Sequence, residues 1–132
     1  MAVNTLVLDT NAYNRYIAGD LAILEAIRQT DVVYLSIFVL GELLYGFKRG
    51  TREKENRILL RKFLGGPKSR VLEGSEATSE HYGSLKAHLK KVGTPIPLND
   101  VWIAAHALET GSMLVTFDSH FQRIPGLRIW TG

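Results

Sequence analysis

The chain has 132 residues, 45% of them hydrophobic and 22% charged, with a formal net charge of +3 and no cysteine. That length carries one hydrophobic core, leaves no room for a second ordinary domain, and without cysteine excludes disulfides and thiolate metal sites. No apolar run reaches the roughly 18 residues of a membrane span, and Met1-Ala2-Val3-Asn4 lacks the basic region and cleavage site of a secretory leader, so a cytoplasmic protein with a single domain over residues 1–132 is expected.

In chain order, Thr5–Leu8 is an apolar strand that ends at Asp9. Asp20 is placed to cap a helix running to about Gln29, and Val32–Leu35 is a second strand. Leu40, Leu43, Leu44 and Phe47 recur at helical spacing, as do Asn56, Leu59, Leu60 and Phe63 on the following segment. Gly65-Gly66-Pro67 turns the chain into a short strand at Ser69–Leu72. A longer helix from near Ser75 puts Tyr82, Leu85, Leu89 and Val92 on one face and stops at Gly93 and Pro95. Thr94-Pro95-Ile96-Pro97 is a stiff approach to the last helix, from about Asn99 to Thr110, with Val101, Ala104, Ala105 and Leu108 inward and Gly111 closing it. Met113–Phe117 and Leu127–Trp130 supply further strands. This alternation predicts an α/β fold, with a central parallel sheet of about four to five strands flanked by helices.

Four acids stand where such a fold would bring them together. Asp9 and Asp118 each end an apolar run, Asp100 opens the last helix, and Glu42 interrupts an otherwise apolar helix. In an open parallel sheet, ligands bind beyond the carboxyl ends of the strands. Two like charges about 4 Å apart repel by about 4 kcal/mol at an effective dielectric of about 20. A hard divalent cation relieves that repulsion and can act on a phosphate ester. Setting the four aside leaves 16 basic residues against nine acidic ones, a balance of +7 that suits a polyanion gripped by its backbone. Each acid also has a structural reading: Asp9 and Asp100 as helix caps, Asp118 as the start of a turn. Glu42, amid Leu40, Leu43 and Leu44, is the hardest to explain that way.

The strings around the acids are more specific than the acids alone. They run Leu8-Asp9-Thr10-Asn11, then Ser36 to Leu43 with Gly46, then Leu98-Asn99-Asp100-Val101-Trp102, and finally Val115-Thr116-Phe117-Asp118-Ser119-His120. Their order and spacing resemble the PIN-domain ribonucleases, most closely the VapC toxins of toxin–antitoxin pairs, over nearly the whole chain. The resemblance implies that Asp9, Glu42, Asp100 and Asp118 hold one or two Mg²⁺ or Mn²⁺ ions. It also implies that Thr10, Asn11 and Thr116 orient the site, and that a metal-activated water attacks an RNA phosphodiester. A small VapB-like antitoxin partner, a homodimer, and DNA contact only through the antitoxin are further implications. Gly41 and the bulky Trp102 depart from the pattern and are expected to alter substrate fit.

Weaker signals surround this set. His81, His88, His106 and His120 form no metal-ligand spacing with one another, and His120 is placed to touch a phosphate or, alternatively, to pack at the surface. The basic stretch from Lys48 to Lys62 offers Arg52, Arg57 and Arg61 as RNA contacts, against the alternative of a solvated helix face. Lys86, Lys90 and Lys91 read as surface, while Tyr13, Tyr16, Tyr45 and Phe47 suit base stacking, antitoxin contact or the core. Competing functions are a PIN nuclease of RNA processing without an antitoxin and a degenerate RNA-binding module. A phosphomonoesterase with Asp9 as nucleophile is disfavoured, because Asn11 stands where its second aspartate belongs.

Overall fold

In the computed structural model, which describes residues 4–132, four strands form one parallel sheet: β1 (Thr5–Leu8), β2 (Val32–Ser36), β3 (Ser69–Leu72) and β4 (Met113–Val115). The leader-free reading of Met1–Val3 lies outside the described residues. Across the sheet the order is β3-β2-β1-β4, so the chain builds outward from β1 on one side and then crosses to the other. The switch point therefore lies between β1 and β4, where Leu8 pairs with Val115 and Asp9 is the next residue. Six helices flank the sheet: α1 (Thr10–Ile17), α2 (Leu21–Gln29), α3 (Ile37–Arg49), α4 (Glu53–Leu64), α5 (Glu76–Lys91) and α6 (Leu98–Thr110). Leu6, Val7 and Leu8 are all buried, as a strand covered on both faces requires. None of the helices is long and apolar enough to cross a membrane among the described residues.

Most elements lie where hydrophobic spacing puts them, and the exceptions have physical causes. Helix α1 is signalled in the sequence only by the alternative reading of Asp9 as a helix cap, because Asn11, Tyr13, Asn14 and Tyr16 are weak helix formers. It forms because Asp9 caps it, accepting the Ala12 N–H at 2.8 Å, and because Ala12 and Tyr13 are buried. Strand β4 stops at Val115 rather than Phe117, since the Thr116 side chain turns to Asp9 and Phe117 leaves the sheet half exposed. Leu127–Trp130 is a single parallel bridge, Leu114 to Ile129, held by Leu114 N–H to Arg128 O and Trp130 N–H to Leu114 O, both at 2.9 Å. Val92 falls just beyond the end of α5 and is exposed, as is Leu59, because Leu60 and Phe63 take the inward side of α4.

Helix α6 carries Asp100 in its first turn and ends at Gly111, whose φ of 66° lies in the left-handed region. No neighbouring atom crowds a Cβ there, so only backbone strain opposes a side chain. Gly111→Ala is expected to lower unfolding stability by about 1–2 kcal/mol, read as a fall in melting temperature with the folded spectrum unchanged.

Candidate active site

The Asp9 N–H donates to Val115 O at 3.2 Å, which extends the β1–β4 pairing by one step and sets Asp9 beside Thr116. The Thr116 hydroxyl donates to Asp9 Oδ2 at 2.5 Å, and Thr116 Oγ1 accepts the Asp118 N–H at 3.1 Å. One buried hydroxyl thus ties two of the acids to the end of the sheet. Asp9 is only 4% exposed. Burial pushes its carboxyl up from the usual carboxylate range, against the pull of the Thr116 and Ala12 hydrogen bonds, and Asp118 and Asp100 add to the rise.

Glu42 arrives from the second turn of α3, where Ser36 caps the helix through the Phe38 N–H. The Thr10 hydroxyl donates to Glu42 Oε1 at 3.1 Å, across 32 residues of chain. Partial burial raises the Glu42 carboxyl, Thr10 opposes the rise, and Asp100 and Asp118 reinforce it. Asp100 makes no cap hydrogen bond, and Pro97 occupies the N-cap of α6. Instead Asp100 Oδ2 lies 2.7 Å from His120 Nε2. Burial raises the Asp100 carboxyl, contact with His120 lowers it, and Asp118 raises it again. The acids therefore feel one another across a shared space. That space is a cavity of about 430 Å³ lined by all four acids with Thr10 and Asn11, and among the described residues no lysine or arginine is part of its wall.

Such a wall fits a hard cation. Its donors are oxygens from four separate elements, and Asp100, Asp118 and His120 offer ligand atoms within 4.8 Å of one another. Both Asp9 oxygens already accept a hydrogen bond, yet each keeps a lone pair for a ligand. His120 was expected at the surface or against a phosphate, but the short 3-10 turn Ser119–Arg123 swings it onto Asp100. Carboxylate and water suit Mg²⁺ and Mn²⁺ better than imidazole does, so the nitrogen is better placed to orient Asp100 than to join a hard-ion shell.

The other candidates separate. Trp102 turns away from the cavity and stacks between Tyr82, with ring centroids 3.8 Å apart, and Phe38 at 5.3 Å. Its bulk therefore supports the α3–α5–α6 packing rather than altering the pocket. Gly41 is exposed with open space around it. Tyr13 and Phe47 belong to the core, Tyr16 packs on Phe63, and only Tyr45 of those four is largely exposed. Arg57 pairs with Glu53 at 2.9 Å and Arg52 with Glu55 at 2.9 Å, the pairing of a solvated helix face. Neither they nor Arg61 borders the acidic cavity. Arg49, from the start of that basic stretch, lines the adjoining cavity with Tyr45.

Comparison with known proteins agrees with this geometry. The family model of the PIN domain matches residues 6–127. Ribonuclease VapC2 of Rickettsia felis is 32% identical over 126 residues, 92% of each chain. The tRNA(fMet)-specific endonuclease VapC of Salmonella typhimurium is 33% identical over 101 residues, 76% of this chain and 75% of that one. The crystal structure of DNA-bound VapBC from Salmonella typhimurium superimposes with a TM-score of 0.87 at 30% identity, covering 97% of this chain and 98% of that one.

Proposed function

The chain belongs to the PIN-domain family, among its VapC ribonucleases, and from that premise we propose that it is the RNA-cutting toxin of a toxin–antitoxin pair. The observation that carries this reading is the meeting of Asp9, Glu42, Asp100 and Asp118 in one cavity without a basic residue in its wall. PIN nucleases generally use a divalent metal, and we assign Mg²⁺ or Mn²⁺, one or two ions, to these four carboxylates. When bound, the ion lowers the pKa of a water and offsets the charge that develops on the phosphodiester.

The protein's own part is to hold its carboxylates ready. Thr116 fixes Asp9 and the backbone of Asp118, Thr10 turns Glu42 inward, and His120 orients Asp100. Asn11, exposed on the cavity wall, is free to meet the RNA. The chain's positive balance draws RNA toward an acidic centre that would otherwise repel it. Arg52, just before α4, and Arg57 and Arg61 within it contribute to that pull, and Asn56 of the same helix lines the adjoining cavity. The solved VapBC complexes support a VapB-like antitoxin as partner, with DNA reached through it, and an RNA substrate supports a cytoplasmic setting. A homodimer is proposed on the family likeness.

Thr116 provides a test of positioning apart from ligation. Thr116→Val is expected to slow cleavage roughly 10–100-fold, the loss typical of groups that orient metal ligands, and Thr116→Ser to restore most of it. Equal loss in both variants would assign Thr116 to packing alone. The function itself is tested by sequencing cellular RNA ends after brief expression of wild type and Asp9→Asn. New ends at a discrete set of sites in wild type only are expected; identical end profiles would overturn the reading.

A further inference from the structure

The four carboxylates around the central cavity are not held equally. Asp9 accepts from Ala12 and Thr116, Glu42 accepts from Thr10, and Asp100 contacts His120. Among the described residues, the Asp118 carboxylate has no hydrogen-bond partner, and it makes no cap bond to the 3-10 turn that it precedes. It also lies beyond the sheet, because β4 ends at Val115. Its place is therefore set by the backbone of Thr116, Phe117 and Asp118. Thr116 secures one end of that run through the Asp118 N–H. The middle falls to Phe117.

Phe117 is not part of the acidic wall, and it is 44% exposed, so burial alone does not hold it. Instead it is gripped from two sides. The Arg15 guanidinium lies 3.8 Å from its ring centroid, and Trp130 meets it edge to face, with centroids 6.5 Å apart and planes at 84°. A cation over an aromatic face is attracted by the ring quadrupole, and edge-to-face packing favours one ring orientation. The partners come from the two segments that flank the site. Arg15 lies in the last turn of α1, the helix that Asp9 caps, and the Trp130 N–H bonds to Leu114 O of β4. Among the described residues Arg15 forms no ion pair, so the ring is its contact.

We propose that Phe117, clamped between Arg15 and Trp130, is a positioning residue for Asp118. The clamp fixes the 116–118 run against α1 and β4, so that the one acid without a hydrogen-bond partner still faces the cation from a set place. Phe117 does through the backbone what Thr10 does for Glu42 through a hydrogen bond. This role rests on the metal reading of the four acids and adds what steadies the least supported of them. A clamp that only joined α1 to the C-terminal segment would stabilise the fold without touching metal affinity.

The two roles separate when Mn²⁺ affinity is measured by titration calorimetry beside the metal-free melting curve. Phe117→Ala is expected to weaken Mn²⁺ binding roughly tenfold, the lower end of the loss for groups that orient metal ligands. Phe117→Tyr, which keeps the ring, should bind as wild type does. Arg15→Ala is expected to weaken binding too, although removing a positive charge near a cation site would by itself strengthen it. The Arg15→Ala/Phe117→Ala pair should bind no more weakly than Phe117→Ala alone, because the two side chains act as one contact. If Phe117→Ala melts lower yet binds Mn²⁺ as tightly as wild type, the clamp serves packing and the proposal is overturned. Equal losses in Phe117→Ala and Phe117→Tyr, or losses that multiply in the pair, would overturn it as well. If wild type itself binds no Mn²⁺, the metal reading falls and takes this role with it. If wild type binds and neither single variant changes affinity, only the positioning role falls.

Discussion

Asp9→Asn, Glu42→Gln, Asp100→Asn and Asp118→Asn are each expected to remove nearly all RNA cleavage while leaving the protein folded. The expected loss exceeds the roughly 10–100-fold attached to a supporting residue around a metal, because each change takes away a ligand. Each substitution nearly preserves shape, and each removes a charge from a group crowded by like charges. Asp9→Asn carries the strictest demand on folding, since the side chain also caps α1 through the Ala12 N–H. An amide oxygen can still accept that hydrogen bond, so α1 is expected to persist. Groups that work as one unit are far from additive. The Asp9→Asn/Asp118→Asn pair should therefore lose little beyond either single change. Full activity in any one variant would remove that residue from the cutting centre, and multiplied losses would argue for separate sites.

Divalent metal is expected to raise the melting temperature, by an amount that grows with pH. The Asp9, Glu42 and Asp100 carboxyls are raised first by burial and then by the Asp118 charge, with Asp100 adding to the rise of the other two. Above the ordinary carboxylate range the folded state therefore holds protons that the unfolded chain has lost. The site's contribution to stability is complete below that range and is lost as pH rises through the raised values. As pH rises through those raised values the metal-free protein carries more of the repulsion, and a bound cation relieves it. At 100-fold excess over its dissociation constant, a ligand that binds only the folded state adds about 2.7 kcal/mol, a shift of several degrees for a chain of this size. The gain should shrink toward pH 5, where protons compete for the same oxygens. Metal-free Asp100→Asn is expected to melt at or above the wild-type temperature, with a smaller metal shift. A melting curve indifferent to millimolar Mn²⁺ at neutral pH would count against a shared cation site.

The centre of this fold is legible in the sequence because its signals are local. Thr5–Leu8 is a continuous apolar run, so β1 and the position of Asp9 at its end follow from periodicity alone. Ser75, Gly93 and Gly111 punctuate α5 and α6 through capping chemistry that acts within a few residues. What escapes the sequence depends on contacts between distant segments. Helix α1 is stabilised by the burial of Ala12 and Tyr13, not by its own propensity. The Asp100–His120 contact spans 20 residues and needs both the start of α6 and the turn after β4. Tyr45 and Phe47 show the limit most plainly. Two positions apart on a helix, they point to nearly opposite sides, and only the position of the core sends Phe47 inward and Tyr45 outward. The packing role of Trp102, expected from its bulk beside Asp100 to alter substrate fit, escapes for the same reason, because its neighbours Tyr82 and Phe38 come from other helices.

The central claim is that four carboxylates from four elements form one metal-dependent RNA-cutting centre. It is tested most directly by stripping the purified chain with chelator, titrating Mn²⁺ back, and following cleavage of a labelled unpaired RNA by wild type and by Asp118→Asn. No cleavage in chelator, saturable recovery with Mn²⁺ in wild type, and none in Asp118→Asn at the same concentrations are expected. Cleavage that persists in chelator, or that Asp118→Asn supports as well as wild type does, would contradict the claim.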